Sequence, residues 1–216
     1  MSEKKQGCFI VFEGIDGAGK TTQIRLLEER LHQEGRRVYT TAEPTESVTG
    51  GLLRDALGGV SRRSACEMAA LFVLDRTFHN VNPVNGIQKM LADGYDVISD
   101  RYYYSSMAYQ GSETDFDWVR DINLNCPEIR RPDLCIFLDL TPEESMARID
   151  GSRATHEIYE NRERLEAVRK QFFRAFEALG DKEQVCIVNA YRPIEQIHEE
   201  IAGLVLDHIK AKEENQ

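Results

Sequence analysis

Gly14-Ile15-Asp16-Gly17-Ala18-Gly19-Lys20-Thr21 decides the fold of this 216-residue chain. The stretch fits G-x-x-x-x-G-K-[ST], the pattern of phosphate-binding loops. A pattern of this length also occurs by chance, so its flanks must separate a nucleotide site from an ordinary glycine-rich turn. An apolar run at 8–12 precedes it, and Leu26, Leu27 and Leu31 follow at helical spacing. Strand, glycine loop and helix, in that order, predict a site for a nucleoside triphosphate.

The residue types of the loop explain how it would hold phosphate. Backbone N–H groups around 17–20 can converge on one phosphate, because glycine adopts conformations that other residues rarely reach. The helix beginning near Lys20 adds the positive end of its dipole. We expect Lys20 to reach the β- and γ-phosphates and the Thr21 hydroxyl to ligate Mg²⁺. ATP and Mg²⁺ are therefore the predicted cofactors, with these binding residues: Gly14, Ile15, Asp16, Gly17, Ala18, Gly19, Lys20, Thr21 and Thr22.

Composition excludes several other classes of protein. A formal net charge of −10 argues against broad binding to nucleic-acid polymers or anionic membranes. No apolar run approaches the roughly 20 residues that span a bilayer, and residues 1–7 lack the apolar region of a signal peptide. The five cysteines are odd in number and form no CxxC pair, which favours neither disulfides nor zinc and predicts a cytoplasmic setting.

Strand-like runs alternate with helical patterns along the whole chain, without an internal repeat or a low-complexity linker. This order predicts an α/β protein: a three-layer P-loop NTPase fold with a central five-stranded parallel sheet, helices on both faces and a small lid. We expect one domain, 1–216, with the lid at about 148–157, although an ordinary loop explains the polar segment 151–156 equally well. The predicted strands are 8–12, 37–41, 95–99, 133–138 and 184–188.

A second polar cluster, 99–102, follows the third predicted strand. Ligands of open α/β sheets bind at the carboxyl ends of strands, so Gly14, Glu43 and Asp100 are expected to face one crevice. Arg101 could clamp a phosphate with several donors, and Asp100 could hold Mg²⁺ or its water shell. The alternative for this acid–base pair is an ordinary surface ion pair.

A third cluster places Phe72, Arg76 and His79 at i, i+4 and i+7 of a predicted helix. An aromatic ring one turn from a guanidinium suits a planar heterocycle, which needs stacking and in-plane hydrogen bonds. A core position is the competing interpretation of Phe72. For His79 we expect a capping or surface role rather than catalysis.

With these clusters in view, the chain resembles the thymidylate kinase family, whose members phosphorylate dTMP with ATP. The similarity spans about residues 8–205, and the segment 100–111 is more specific than the phosphate loop. The matching residues are Phe12-Glu13-Gly14 through Lys20-Thr21-Thr22, Glu43-Pro44, Phe72 with Asp75-Arg76 and His79, Asp100-Arg101-Tyr102 with Ser105-Ser106, Ala108-Tyr109-Gln110-Gly111, and Pro132-Asp133-Leu134 before Leu138-Asp139.

The resemblance implies roles for residues around the acceptor nucleotide. Phe72 would stack on thymine, and Arg76 would hydrogen-bond the base. Tyr109 would pack against the deoxyribose and penalise a 2′-hydroxyl, while Ser105 and Gln110 would contact the base region. The resemblance also implies contacts to the phosphates. Arg101 would bind the phosphate of the acceptor, and Asp16 and Asp100 would lie near the phosphates and the metal. Glu43 and Arg54 would belong to the substrate site.

Two departures from the family pattern affect the predicted chemistry. Many members carry an arginine before Glu-Pro-Gly-Gly, whereas this chain has Ala42 there, so Arg54 could carry more of the phosphate binding. Some members have a basic catalytic residue inside the phosphate loop, where this chain has Gly17 and Ala18. The lid must then supply a cation to the transition state, with Arg153 the first candidate and Arg148 the second. The predicted catalytic residues are Lys20, Arg101, Arg153 and Asp16.

The expected reaction is therefore ATP + dTMP → ADP + dTDP, catalysed by a phosphotransferase. A deoxynucleoside kinase or another nucleotide kinase of this fold is the close alternative, in which Glu43 could deprotonate a 5′-hydroxyl. A P-loop switch protein without a small acceptor is the alternative from another class. The resemblance also implies a homodimer, although no residue of the sequence identifies its interface.

Overall fold

A computed structural model describes residues 6–149 and 155–214. Its strands pair in parallel in the order β2-β3-β1-β4-β5, which confirms the predicted α/β fold with a five-stranded parallel sheet. Every strand begins and ends one residue later along the chain than the strand-like run that predicted it. The bounds are β1 (Phe9–Glu13), β2 (Val38–Ala42), β3 (Asp96–Asp100), β4 (Leu134–Asp139) and β5 (Val185–Asn189).

Helices occupy the connections between these strands. A long helical pattern around 65–92 is interrupted near Pro83, where proline cannot donate the required N–H, and the structure has two helices there. The first of them begins with a capping box between Ser64 and Glu67. The helices are α1 (Lys20–Gln33), α2 (Val48–Leu57), α3 (Ala65–Val81), α4 (Ile87–Ala92), α5 (Tyr103–Glu113), α6 (Phe116–Leu124), α7 (Pro142–Ile149), α8 (Thr155–Leu179) and α9 (Ile194–Glu214).

Both faces of the sheet are buried at its centre, along β1. Along β1, Phe9 and Val11 pack into one core with residues of α5 and α8. Ile10 and Phe12 point the other way, into a second core with residues of α1 and α9. Because side chains alternate along a strand, a strand covered on both sides favours apolar residues at successive positions, which explains the uninterrupted apolar runs.

The strand pairing places three carboxyl ends side by side. Phe12 of β1 pairs with Asp100 of β3, and Ala42 of β2 pairs with the same Asp100. The loops that follow β1, β2 and β3 therefore meet at one edge, where open α/β sheets bind ligands. Within the described ranges, none of the helices has the length and apolar character needed to cross a membrane.

Candidate active site

The phosphate loop connects β1 directly to the first turn of α1. Gly17 and Gly19 have φ angles of 78° and 93°, in the left-handed region that favours glycine. Lys20 is buried, and its Nζ donates to the Gly14 carbonyl over 3.1 Å. Burial lowers the pKa of Lys20, and the neighbouring positive charge of Arg101 lowers it further. The lysine is thus a constrained cation beside the loop.

A cavity of about 570 Å³, the phosphate cavity, opens over this loop. It combines the loop with the ends of β2 and β3, as the sequence predicted, and Ala42 lies in its wall where many family members have arginine. The cavity is predominantly polar, as an anion site requires. Its lining residues are Asp16, Gly17, Gly19, Lys20, Thr21, Thr22, Ala42, Glu43, Asp100, Arg101 and Arg148.

The predicted magnesium ligands lie in this same cavity. Asp100 Oδ1 is buried and has no hydrogen-bond partner within the described part of the chain, which is an unusual state for a carboxylate oxygen. Thr21 is exposed and lines the cavity with it. In residues 6–149 and 155–214, no group of three or more His, Cys, Asp or Glu forms a metal cage. The donor set suits Mg²⁺, which takes few protein oxygens and completes its shell with water and phosphate.

Arg101 stands at the centre of the site with a left-handed backbone, φ 71°. This conformation is uncommon for a residue with a side chain and costs of order 1–3 kcal/mol. Its Nη1 donates to Ser105 Oγ over 3.1 Å and to the Gly14 carbonyl over 3.4 Å, and its Nη2 forms an ion pair with Asp16. The guanidinium also lies over the Tyr109 ring, 5.5 Å from its centroid. These contacts direct its planar donor group into the crevice.

Glu13 is a residue of the site to which sequence reasoning assigned no role. It is fully buried at the end of β1 and accepts hydrogen bonds from Tyr102 N, Ser105 N and Ser105 Oγ at 2.9, 3.1 and 2.7 Å. Burial raises the pKa of this carboxyl to about 7, against the opposing effect of the Arg101 charge. A charged residue closing an otherwise apolar strand was the available sequence signal.

A second cavity of about 340 Å³, the acceptor cavity, adjoins the first and has a more apolar wall. Phe72 is half-buried and lines it instead of packing in either core. Burial raises the pKa of Tyr109, so its hydroxyl stays neutral. The lining residues are Asp16, Glu43, Pro44, Leu57, Met68, Phe72, Arg76, Arg101, Tyr102, Ser105, Tyr109, Gln110, Glu113 and Arg164. Arg164 was not anticipated from the sequence.

A buried polar network forms one wall of the acceptor cavity. Arg76 Nε and Nη2 donate to Glu43 Oε2 over 2.9 and 2.6 Å, and Nη1 donates to Asn123 Oδ1. His79 Nδ1 lies 3.0 Å from Glu43 Oε1, and its Nε2 lies 2.7 Å from Thr41 Oγ1. The expectation of a capping or surface role for His79 was wrong, since its ring is buried against Glu43. Spacing along one helix could not reveal partners that β2 provides.

Three further arginines were predicted to contact the phosphates, and they differ in their position relative to the cavities. Arg54 is absent from the lining of both cavities, and its guanidinium contacts the Thr45 carbonyl and Glu46. Arg153 falls outside the described residues. Arg148, at the end of α7, lines the phosphate cavity and donates to the carbonyls of Ala190 and Gly17 over 2.7 and 3.4 Å.

A third cavity of about 500 Å³ also borders the phosphate loop, at Gly17, Ala18 and Gly19. Arg148 and Thr22 border it together with residues that follow β5, among them Arg192 and Ile194. Gln23 fixes this junction, because its Nε2 donates to the Ile194 carbonyl over 3.1 Å. The sequence indicated β5 and Pro193 but no ligand role for the segment after them, although it too follows the carboxyl end of a strand.

Comparisons with known proteins agree with this geometry. The family model described as thymidylate kinase matches residues 12–201. A probable thymidylate kinase of Thermococcus gammatolerans is 40% identical over 212 residues, covering 94% of this chain and 98% of the relative. That of Methanococcus aeolicus is 39% identical, covering 92% and 96%, and that of Methanothermobacter thermautotrophicus is 36% identical, covering 93% and 95%. By family match and by full-length relatives, the chain belongs to the thymidylate kinase family.

Proposed function

We propose that this protein transfers the γ-phosphate of ATP to dTMP, giving ADP and dTDP. The observation that carries the proposal is that the phosphate cavity and the acceptor cavity meet at one arginine. Arg101 lines both, and Asp16 and Glu43 share that position. The first cavity contains the phosphate loop, and the second contains the aromatic ring of Phe72 and the side-chain amide of Gln110. A site of this form suits a phosphate passed between two nucleotides.

The donor side is assigned to ATP. Its β- and γ-phosphates would lie against the loop and Lys20, and its adenosine would extend past Thr22 into the third cavity. Thr21 and Asp100 would hold Mg²⁺, which supplies charge neutralisation for the phosphates when it is bound. The positive N-terminal end of α1 adds to the same attraction.

The acceptor side is assigned to dTMP. Phe72 would stack on thymine and Tyr109 would pack against the deoxyribose, since both line the acceptor cavity. Ser105 and Gln110 would contact the base region. Arg76 would present its guanidinium edge to the base while Glu43 holds it in place. Fixing a guanidinium before the ligand arrives reduces the entropy lost on binding.

Catalysis by this site rests on positioning and on neutralising charge. The attacking oxygen of a phosphate monoester is already anionic at neutral pH, so a strong general base is not required. Lys20 would stabilise the transferring group from the donor side and Arg101 from the acceptor side. Asp16 would orient Arg101 through their ion pair.

The geometry disfavours the nucleoside alternative. There Glu43 would have to deprotonate a 5′-hydroxyl, but Glu43 is buried, and its two oxygens are bound by Arg76 and His79. A switch protein is also disfavoured, because it has no use for an acceptor cavity.

The choice of acceptor is tested by measuring ADP release with dTMP, dUMP, dCMP, dGMP and thymidine. We expect dTMP to be the best acceptor and thymidine at least about 100-fold slower; turnover with thymidine alone would overturn the proposal.

Arg148 and Arg153 are expected to act at different stages. Arg148 borders both the phosphate cavity and the third cavity, so Arg148→Ala should mainly raise the KM for ATP, by about 10-fold. Arg153, proposed as the transition-state cation, should affect kcat: Arg153→Ala is expected to lower it by about 100-fold. Steady-state kinetics of both variants provides the comparison. A large kcat loss in Arg148→Ala beside a normal Arg153→Ala would reverse the two roles.

We also propose a homodimer, formed through the outer face of α3. Leu74, Phe78 and Val81 recur there at i, i+4 and i+7 and are 51%, 41% and 40% exposed, which is an apolar stripe suited to a second copy of the chain. Phe78→Glu should yield monomers in sedimentation velocity, because it buries a charge in the interface. Ile187→Glu, at an exposed apolar position on the edge strand β5, is the matched control and should leave the dimer intact. Monomeric wild-type protein would contradict the proposal.

We also propose that the protein is located in the cytoplasm. All five cysteines are free thiols, and the nucleotide substrates are intracellular metabolites. Free thiols persist where glutathione and thioredoxin keep them reduced.

A further inference from the structure

Glu13 contacts residues of the proposed active site but lies away from the proposed positions of ATP and dTMP. It lines none of the three cavities, and its side chain is fully buried. Both oxygens are engaged: Oε1 accepts from Tyr102 N and Ser105 N, and Oε2 accepts from the Ser105 hydroxyl. Because no cavity reaches these oxygens, the Glu13 side chain does not contact a ligand directly.

Two hydrogen bonds to the end of β1 hold the backbone at the left-handed residue Arg101. Arg101 N donates to the Phe12 carbonyl over 2.9 Å, and the next amide, Tyr102 N, donates to Glu13 over the same distance. The end of β1 therefore holds the backbone on both sides of Arg101. Such over-determination is what allows a strained conformation to persist.

The same carboxylate also fixes the guanidinium. Ser105 Oγ donates to Glu13 Oε2 and in turn accepts from Arg101 Nη1. Glu13 therefore restrains Arg101 indirectly in two ways: it binds the next backbone amide, Tyr102 N, and it binds the Ser105 hydroxyl that contacts the guanidinium. Placing a carboxylate in a strand core costs free energy that an apolar residue would avoid, so packing alone does not account for it.

We infer that Glu13 is a positioning residue for the acceptor phosphate: it holds the left-handed turn at Arg101 and the Ser105 contact that aims the guanidinium. The inference rests on the proposed function, in which Arg101 binds that phosphate. Glu13 would then control how much the protein gains from the phosphate of dTMP, while the stacking surface of Phe72, which contacts neither Glu13 nor Arg101 among the described interactions, keeps its place in the acceptor cavity. The charged or titratable groups that interact electrostatically with Glu13 include Arg101, Lys20, Tyr109 and Cys135.

Binding of dTMP and of thymidine to the full-length protein, measured by calorimetry, separates these contributions. Glu13→Gln keeps an oxygen for the two amide donors but replaces the acceptor of the Ser105 hydroxyl with an NH₂ group. We expect about 10-fold weaker dTMP binding, with thymidine changed less than about 3-fold. Glu13→Ala removes every contact, including those to Ser105, and should weaken dTMP binding by about 100-fold, with a loss at least about 10-fold smaller for thymidine.

Glu183→Gln is the matched control. Glu183 is another buried carboxylate bound by α5, where it accepts from the hydroxyls of Tyr103 and Tyr104, but it lines none of the three cavities. Its loss should leave the ratio of the two dissociation constants unchanged. Wild-type affinity of Glu13→Gln for dTMP, or equal weakening for both ligands, would overturn the inference. Equal affinity of the wild type for dTMP and thymidine would instead contradict the proposed role of Arg101 itself.

Discussion

Replacing Lys20 with methionine is expected to lower kcat/KM for ATP by about 10³-fold. Methionine keeps the length of the side chain and its fit beside the loop but removes the positive charge. Lys20 is buried next to Arg101, and burial already lowers its pKa. A cation held ready in such a site stabilises transferring phosphate more strongly than the same cation in water. Steady-state kinetics with saturating dTMP measures the effect.

The control for Lys20→Met is Lys182→Met, at an exposed position outside the three cavities. It should retain wild-type kinetics. The melting temperature of Lys20→Met should not fall, because the substitution relieves a buried charge. A kcat/KM within about 10-fold of wild type would exclude Lys20 from the transition state.

Arg101→Ala should lower kcat/KM for dTMP by about 10³-fold, and Arg101→Lys should restore little of it. The guanidinium contacts Gly14, Asp16 and Ser105 at the same time. An ammonium group is a single point charge and cannot reproduce this planar arrangement. The loss should be specific to phosphorylated acceptors, since the Phe72 wall of the cavity is unchanged.

Arg120→Ala, at an ion-paired surface arginine of α6, serves as the matched control for Arg101→Ala and should keep wild-type kinetics. Recovery of more than half of the wild-type activity by Arg101→Lys would show that charge alone suffices. The interpretation that Arg101 binds phosphate through several donors of a planar guanidinium would then be wrong.

The fold was largely predictable because its signals are local. Strand-like runs identified all five strands to within one residue, and Pro83 marked the break between α3 and α4. The phosphate loop could be recognised for the same reason, since its glycines and Lys20 are consecutive in the chain. Parallel topology followed from the alternation of strands and helices.

Contacts between residues that are far apart in the sequence could not be predicted from such local patterns. His79 meets Glu43 only because α3 packs beside the end of β2, and Glu13 meets Ser105 only because β1 pairs with β3. The left-handed backbone of Arg101 has no sequence signal either, because it arises from the packing of those strands. Side-chain type predicted which residues could do chemistry, while strand order decided which of them lie together.

Phosphorus NMR of the protein with ATP, Mg²⁺ and dTMP tests the central claim most directly. The proposed reaction predicts that ATP and dTMP disappear together, while ADP and dTDP appear in equal amounts and inorganic phosphate stays at its background level. Release of inorganic phosphate as the sole product, or transfer to thymidine but not to dTMP, would contradict it.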